Sequence, residues 1–91
     1  MYKIKYTKVA NKHIPLLKGA KLDKKAQVLI DIVKVNPYKN PPEYEKLVGN
    51  LMGLYSRRIN RQHRFVYEVF ENETEEERFV KIISMWTHYE F

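Results

Sequence analysis

L-Y-S-R-R-I-N-R-Q-H-R-F-V-Y-E-V-F, Leu54 to Phe70, is the stretch on which the fold turns. It reads as two strands, Leu54 to Ile59 and Arg64 to Phe70, joined tightly by N-R-Q-H from Asn60 to His63. A third strand follows from Phe79 to Thr87. The acidic run E-N-E-T-E-E-E, Glu71 to Glu77, caps the hairpin between the last two as a solvated tip. With the tip centred near Thr74, hairpin pairing sets Arg64 opposite a residue between Met85 and His88. Diagonal neighbours across a sheet are about 7 Å apart, so Arg64 and His88 are expected to meet at one end of it.

Working outward, Tyr2, Ile4 and Tyr6 alternate with Lys3 and Lys5, the pattern of a half-buried strand. Thr7 is placed to cap a helix beginning at Lys8, whose apolar residues are Ala10, Ile14 and Leu17. Pro15 removes a backbone donor and crowds the preceding turn, so that helix is expected to kink or break there, and Gly19 to end the segment. Leu22, Ala26, Leu29 and Val33, widened by Ile30, line one stripe of a second helix, with Asp23 as its expected N-cap. Pro37 biases Asn36 away from helical geometry, and N-P-Y-K-N-P-P is a loop. The expected architecture is α+β. Its order is β-α-α-β-β-β: a small twisted antiparallel sheet with two helices on one face, and the other face or its end left for a ligand.

Length and composition restrict what such a chain does. At 91 residues there is room for one domain, 1–91, and one modest core. Without Cys, disulfides, thiolate zinc sites and Cys nucleophiles are excluded. No apolar run approaches the roughly 18 residues of a membrane span, and M-Y-K-I-K-Y-T lacks the apolar stretch of a secretory signal. A soluble, cytoplasmic protein with no membrane partner is the expectation. Net charge is +6, and the excess rises by five when Glu71, Glu73, Glu75, Glu76 and Glu77 are set aside. All five Arg fall between Arg57 and Arg78, and four of them (Arg57, Arg58, Arg61, Arg64) crowd into eight positions. Forked guanidinium groups suit phosphate, so nucleic acid is the anion to consider first.

His13, His63 and His88 show no metal-ligand spacing, so neither a metal nor a cofactor is expected. Ser56 and Ser84 lack the setting of a nucleophile elbow, and Gly19, Gly49 and Gly53 are too scattered for a phosphate loop. What remains is Glu45, Arg57, Arg58, Arg64, His88 and Tyr89. Cleaving RNA by its own 2′-hydroxyl needs a base, a fixed cation for the phosphorane and an acid for the leaving 5′-oxygen. A carboxylate, an Arg and a His fit those roles, an imidazole near its ordinary pKa of about 6.5 being a competent acid. The same residues also fit a non-catalytic RNA- or DNA-binding regulator, which needs the Arg but has no use for the Glu.

The run L-V-G-N-L-M-G-L-Y-S-R-R-I-N-R-Q-H-R-F-V-Y, Leu47 to Tyr67, with W-T-H-Y at Trp86 to Tyr89, resembles the YoeB/Txe group of toxins in the RelE superfamily. That group carries a core like L-x-x-N-L-x-G-x-x-S-R-R-I-x-x-x-H-R-L-V-Y and ends in H-Y. The resemblance implies a microbial-ribonuclease-like fold and a ribosome-dependent mRNA endoribonuclease acting at the A site. It also implies a cognate antitoxin as partner, with a homodimer as a reasonable expectation. Carried over residue by residue, it implies Glu45 as general base, Arg64 as transition-state cation, His88 as general acid and Tyr89 beside it. Arg57, Arg58 and Lys46 would add RNA contacts. Two departures stand out: Val48 where some members carry Lys, and Glu90 and Phe91 beyond the terminal H-Y. The first keeps open the alternative of a member that has lost activity and only binds its partner.

Overall fold

The computed structural model of the chain describes residues 1–72 and 74–86. In chain order the elements are β1 (Lys3–Tyr6), α1 (Lys8–Gly19), α2 (Asp23–Val35), β2 (Tyr44–Lys46), β3 (Leu54–Arg58), β4 (Arg64–Phe70) and β5 (Phe79–Ser84). Single 3-10 turns occur at Gly49–Leu51 and Glu75–Glu77. The strands lie in the order β1-β5-β4-β3-β2.

The α+β class and the helix-covered face agree with the sequence pattern, but the sheet departs from it twice. Among the described residues it has a fifth strand, β2, in a stretch beyond the expected loop to which the sequence assigned no element, because three residues are too few to show a period of two. It is also mixed: β1 runs parallel to β5, with Ile4 opposite Val80 and Tyr6 opposite Ile82, while every other pair is antiparallel. Alternation identifies a strand but not its neighbour, and β1 pairs with an element far along the chain. The hairpin register falls where the tip position put it, with Phe70 opposite Phe79 and Val66 opposite Ser84 across an irregularity at Val66 and Tyr67. β5 ends at Ser84, short of the expected Thr87: Met85 and Trp86 already turn out of the strand, where His13 and His63 hold them, and Thr87 lies outside the described residues.

Thr7 caps α1 as its position suggested, its hydroxyl accepting from the Ala10 N–H at 3.0 Å. The same hydroxyl donates to the Ile83 carbonyl at 2.7 Å, which ties the start of the helix to β5. The helix runs through Pro15 without the expected break. Pro15 and Asn11 are both exposed, so the Asn11 carbonyl that loses its partner is in reach of water. The C-terminus closes in a Schellman motif: Leu22 N–H to Leu17 O at 2.8 Å and Lys21 N–H to Lys18 O at 3.1 Å. Lys21 takes the left-handed conformation this motif needs, at φ 60°. Asp23 is not the N-cap of α2. It is the first helical residue, after Leu22, and sets its negative charge in the first turn, where the helix dipole favours it.

Ala26, Leu29, Ile30 and Val33 of α2 join Ala10 and Leu17 of α1 against Phe65, Tyr67, Val80 and Ile82 of the sheet. Alternation along the strands then leaves Glu45, Ser56, Arg58, Arg64 and Val66 on the opposite face. At the tip, Glu71, Glu76 and Glu77 are exposed, as expected of solvated acids. The Tyr2 hydroxyl donates to the Glu71 carboxylate, and Asn72 Nδ2 donates to the Glu77 carbonyl at 2.6 Å.

Two histidines hold the end of β5. His13 Nδ1 accepts the Met85 N–H at 3.0 Å. His63, only 4% exposed, stacks on Trp86 with ring centroids 4.0 Å apart. Burial pushes both imidazoles below their ordinary value, and for His13 the nearness of His63 pushes the same way. Both are therefore neutral when folded. As pH falls through about 6.5 the unfolded chain binds protons that the folded chain refuses. Stability is complete above that value and is lost as pH drops toward the folded values. Urea unfolding from about pH 8 down to about pH 5.5 is expected to show this loss. His63→Phe, which keeps a flat ring against Trp86, should make the dependence shallower, and an unaltered slope would remove His63 from the account. Independently, Lys21→Gly should raise stability by about 1 kcal/mol by relieving the left-handed backbone, read in the same urea titrations.

Candidate active site

The open face of the sheet carries a cavity of about 260 Å³ lined by Pro42, Glu43, Tyr44, Glu45, Ser56, Arg58 and Arg64. Its geometry follows from strand pairing. Glu45 of β2 lies opposite Ser56 of β3, Ser56 opposite Val66 of β4, and Arg58 opposite Arg64. Three of the residues singled out from the sequence, Glu45, Arg58 and Arg64, thus share one wall.

Arg64 is held from behind. Its Nη1 faces three carbonyls of the β3–β4 turn: Asn60 at 3.0 Å, Arg61 at 3.3 Å and His63 at 3.4 Å. The turn is itself fixed, because Asn60 Oδ1 accepts from the Gln62 and His63 N–H groups at 2.9 and 2.7 Å. Arg64 as a residue is 9% exposed, and the bonds of Nη1 orient its charge before any anion arrives. Arg58 directly opposite is exposed. Like charges at paired strand positions are destabilising, and an anion placed between them relieves the repulsion. Glu45 is exposed on the edge strand and supplies the carboxylate to a wall that otherwise favours anions.

Other expected site residues are placed differently. Arg57 is 1% exposed and cannot offer its charge to an RNA phosphate. Its Nη1 donates to the Pro42 carbonyl at 2.6 Å, its Nη2 to the Pro37 carbonyl at 3.0 Å and its Nε to the Tyr67 hydroxyl at 3.1 Å. The physical reason is the pleat: Arg57 shares the helix-covered face with Tyr55 and Tyr67, while Ser56 and Arg58 point the other way. That parity was readable in S-R-R once Leu54–Arg58 was taken as a strand. Burial pushes the Tyr67 phenol up to about 12 although the nearby Arg57 pulls it down, so the pair is a cation beside a neutral phenol. Lys46 is exposed but follows Glu45 onto the other face and does not line the cavity. Val48 is 77% exposed in the loop after β2. His88 and Tyr89 lie outside the described residues. The residues that sequence reasoning missed are Asn60 and the turn carbonyls that grip Arg64. Their signal was the Asn at the head of N-R-Q-H, a residue that folds back on its own turn. Among the described residues no group of three or more His, Cys, Asp or Glu side chains is placed to hold a metal ion.

Comparison with known proteins bears on the family and the fold. The family model for the YoeB-like toxin of bacterial type II toxin–antitoxin systems matches residues 16–89. Toxin YoeB of Synechocystis sp. is 37% identical over 70 residues, covering 77% of this chain and 74% of that protein. The solved YoeB/ParE toxin from Agrobacterium tumefaciens superposes with a TM-score of 0.83 at 28% identity, covering 96% of this chain and 99% of that one. YoeB of Staphylococcus aureus, solved in a YoeB–YefM complex and as a dimer, is 33% identical, with TM-scores of 0.77 and 0.78. These alignments cover 98% and 97% of this chain, and 99% and 98% of the matched chains. A matched family model that spans most of the chain, together with a fold shared along its length, means that the chain belongs to the YoeB-like toxins of the RelE superfamily.

Proposed function

We propose that this toxin is a ribosome-dependent endoribonuclease that cuts mRNA at the A site by general acid–base catalysis without a metal. The observation that carries this reading is the single cavity wall shared by Glu45, Arg58 and Arg64. Glu45 takes the proton of the 2′-hydroxyl, whose oxygen then attacks the adjacent phosphorus. Arg64, already oriented by the turn, bears the charge of the phosphorane, and Arg58 holds a non-bridging oxygen or a neighbouring phosphate. His88 gives its proton to the departing 5′-oxygen, with Tyr89 beside it to stack on a base or orient the scissile group. One product ends in a 2′,3′-cyclic or 3′-phosphate and the other begins with a 5′-hydroxyl. Lys46 reaches ribosomal RNA from the outer edge of β2.

The S. aureus YoeB is solved with YefM and as a dimer. By that likeness this chain takes a cognate antitoxin as its partner and forms a homodimer. An acidic antitoxin segment over the Arg58 and Arg64 wall competes with RNA for the same cations.

Primer extension on a translated message, with and without the protein, tests the activity. His88→Ala is expected to slow single-turnover cleavage by a factor on the order of 10² to 10⁴ while ribosome binding survives. Arg64→Lys keeps the charge but loses the planar fork, and should not restore cleavage. Wild-type rates in His88→Ala would sink the acid assignment. Ribosome binding without any cleavage by the wild type would leave a non-catalytic RNA binder. For the partner, inhibition should weaken as salt rises, and hydrogen exchange on the co-purified complex should protect Arg64–Phe70. Protection confined to α2 with cleavage still blocked would argue for exclusion from the ribosome instead.

A further inference from the structure

We infer that Arg57 is a positioning residue: it closes the loop between α2 and β2 and so fixes Glu45 relative to Arg64. The inference rests on the nuclease reading above and names a residue that acts through its base.

The setting is unusual for a cation. Arg57 is buried, and the acceptors of its Nε, Nη1 and Nη2 bonds are all neutral: two proline carbonyls and a phenol. Its plane lies near the rings of Tyr44 and Tyr67, at 5.0 and 5.8 Å from their centroids. Burying a charge is costly, and an apolar side chain of similar volume would pack there without that cost. What an apolar side chain lacks is a rigid fork with several donors in one plane. That fork spans the loop. Nη2 holds the Pro37 carbonyl at its start and Nη1 the Pro42 carbonyl at its end, just before β2 begins. Tyr67 completes the clamp by donating to the Pro37 carbonyl at 2.7 Å while accepting from Arg57 Nε.

The consequence reaches the cavity through β2. This strand has three residues and, among the described residues, pairs only with β3, so its own ladder restrains it weakly. Arg57 lies opposite Tyr44 in that pairing, next to the Glu45–Ser56 pair, and also grips the chain just upstream. Glu45 is therefore held by its backbone from the covered side of the sheet, while its carboxylate stays exposed on the open side. A carboxylate about 1 Å out of place for proton transfer loses on the order of 10²-fold in rate.

Single-turnover cleavage of ribosome-bound mRNA, with ribosome affinity measured separately, tests this on Arg57→Met and Tyr67→Phe, each alone and combined with Glu45→Gln. Arg57→Met is expected to lower the cleavage rate constant on the order of 10- to 100-fold while affinity stays within about twofold of wild type. Tyr67→Phe, which removes one joint of the clamp and leaves the core ring, should move the same way by a smaller factor. In the Glu45→Gln background neither should lower the rate further, because the group they position is gone. Losses that multiply in full with that of Glu45→Gln, or wild-type cleavage by both clamp variants, would overturn the inference while the nuclease reading stands. Should Arg57→Met fail to fold by circular dichroism, Tyr67→Phe decides on the same criteria. Cleavage by Glu45→Gln at the wild-type rate would overturn the base assignment, and this inference with it.

Discussion

The pleat of β4 at the middle of the sheet is the constraint from which the rest follows. Phe65 and Tyr67 must face the helices, because that is where their apolar area is buried, and a period of two then sends Arg64 and Val66 to the other side. A slip of one residue would drive Arg64 among the apolar side chains under the helices and put Phe65 on the cavity face. The hydrophobic demand of two aromatic rings therefore aims a guanidinium at the cavity. The neighbouring strand obeys the same rule with a different result: Arg58 goes out with Ser56, and Arg57 goes in with Tyr55.

Much of this was legible in the residue order, for physical reasons that differ by element. β4 was readable to its exact ends because Arg64 to Phe70 is bounded by a polar turn and an acidic run. The α2 stripe was readable because Ala26, Leu29, Ile30 and Val33 recur at helical spacing. β2 was not, since three residues carry no period and only pairing with β3 makes them a strand. Pro15 does not break the helix, because the cost of a missing donor depends on whether the orphaned carbonyl reaches water, which is a tertiary fact. Asp23 misled by one position because an acid in the first helical turn and an acid at the cap leave similar traces. At the site, residue types marked Glu45, Arg58 and Arg64, but nothing local distinguishes a guanidinium that lines the cavity from one buried on the covered face. Arg57 differs from Arg58 only in parity, and its two carbonyl partners lie 20 and 15 positions away in the chain.

Charge is handled differently on the two faces. On the open face Arg58 and Arg64 stand at paired strand positions, an arrangement of like charges that lowers stability. On the covered face the charge of Arg57 is spread among carbonyl dipoles and the π-faces of two tyrosines, so it contributes geometry rather than field. Glu71, Glu76 and Glu77 stand beyond Phe70 and Phe79, at the opposite end of β4 from Arg64. The sheet is thus electrostatically lopsided, with guanidinium groups at one end and carboxylates at the other.

The parallel pairing of β1 with β5 has a consequence for how the chain comes into being. Thr7 and Ile83 are bonded across 76 positions, and among the described residues no other strand completes the ladder on that side of β5. Contacts at such separation are slow to form, because loop closure precedes any gain from them. β1 must wait for residues 79–84 before it has a strand to pair with, whereas α1 and α2 can already meet Phe65 and Tyr67 of β4. The β3–β4 hairpin forms locally, so Arg58 and Arg64 are paired early, while the β1–β5 edge is assembled late. Completion of the fold therefore waits on the pairing of its two most distant strands.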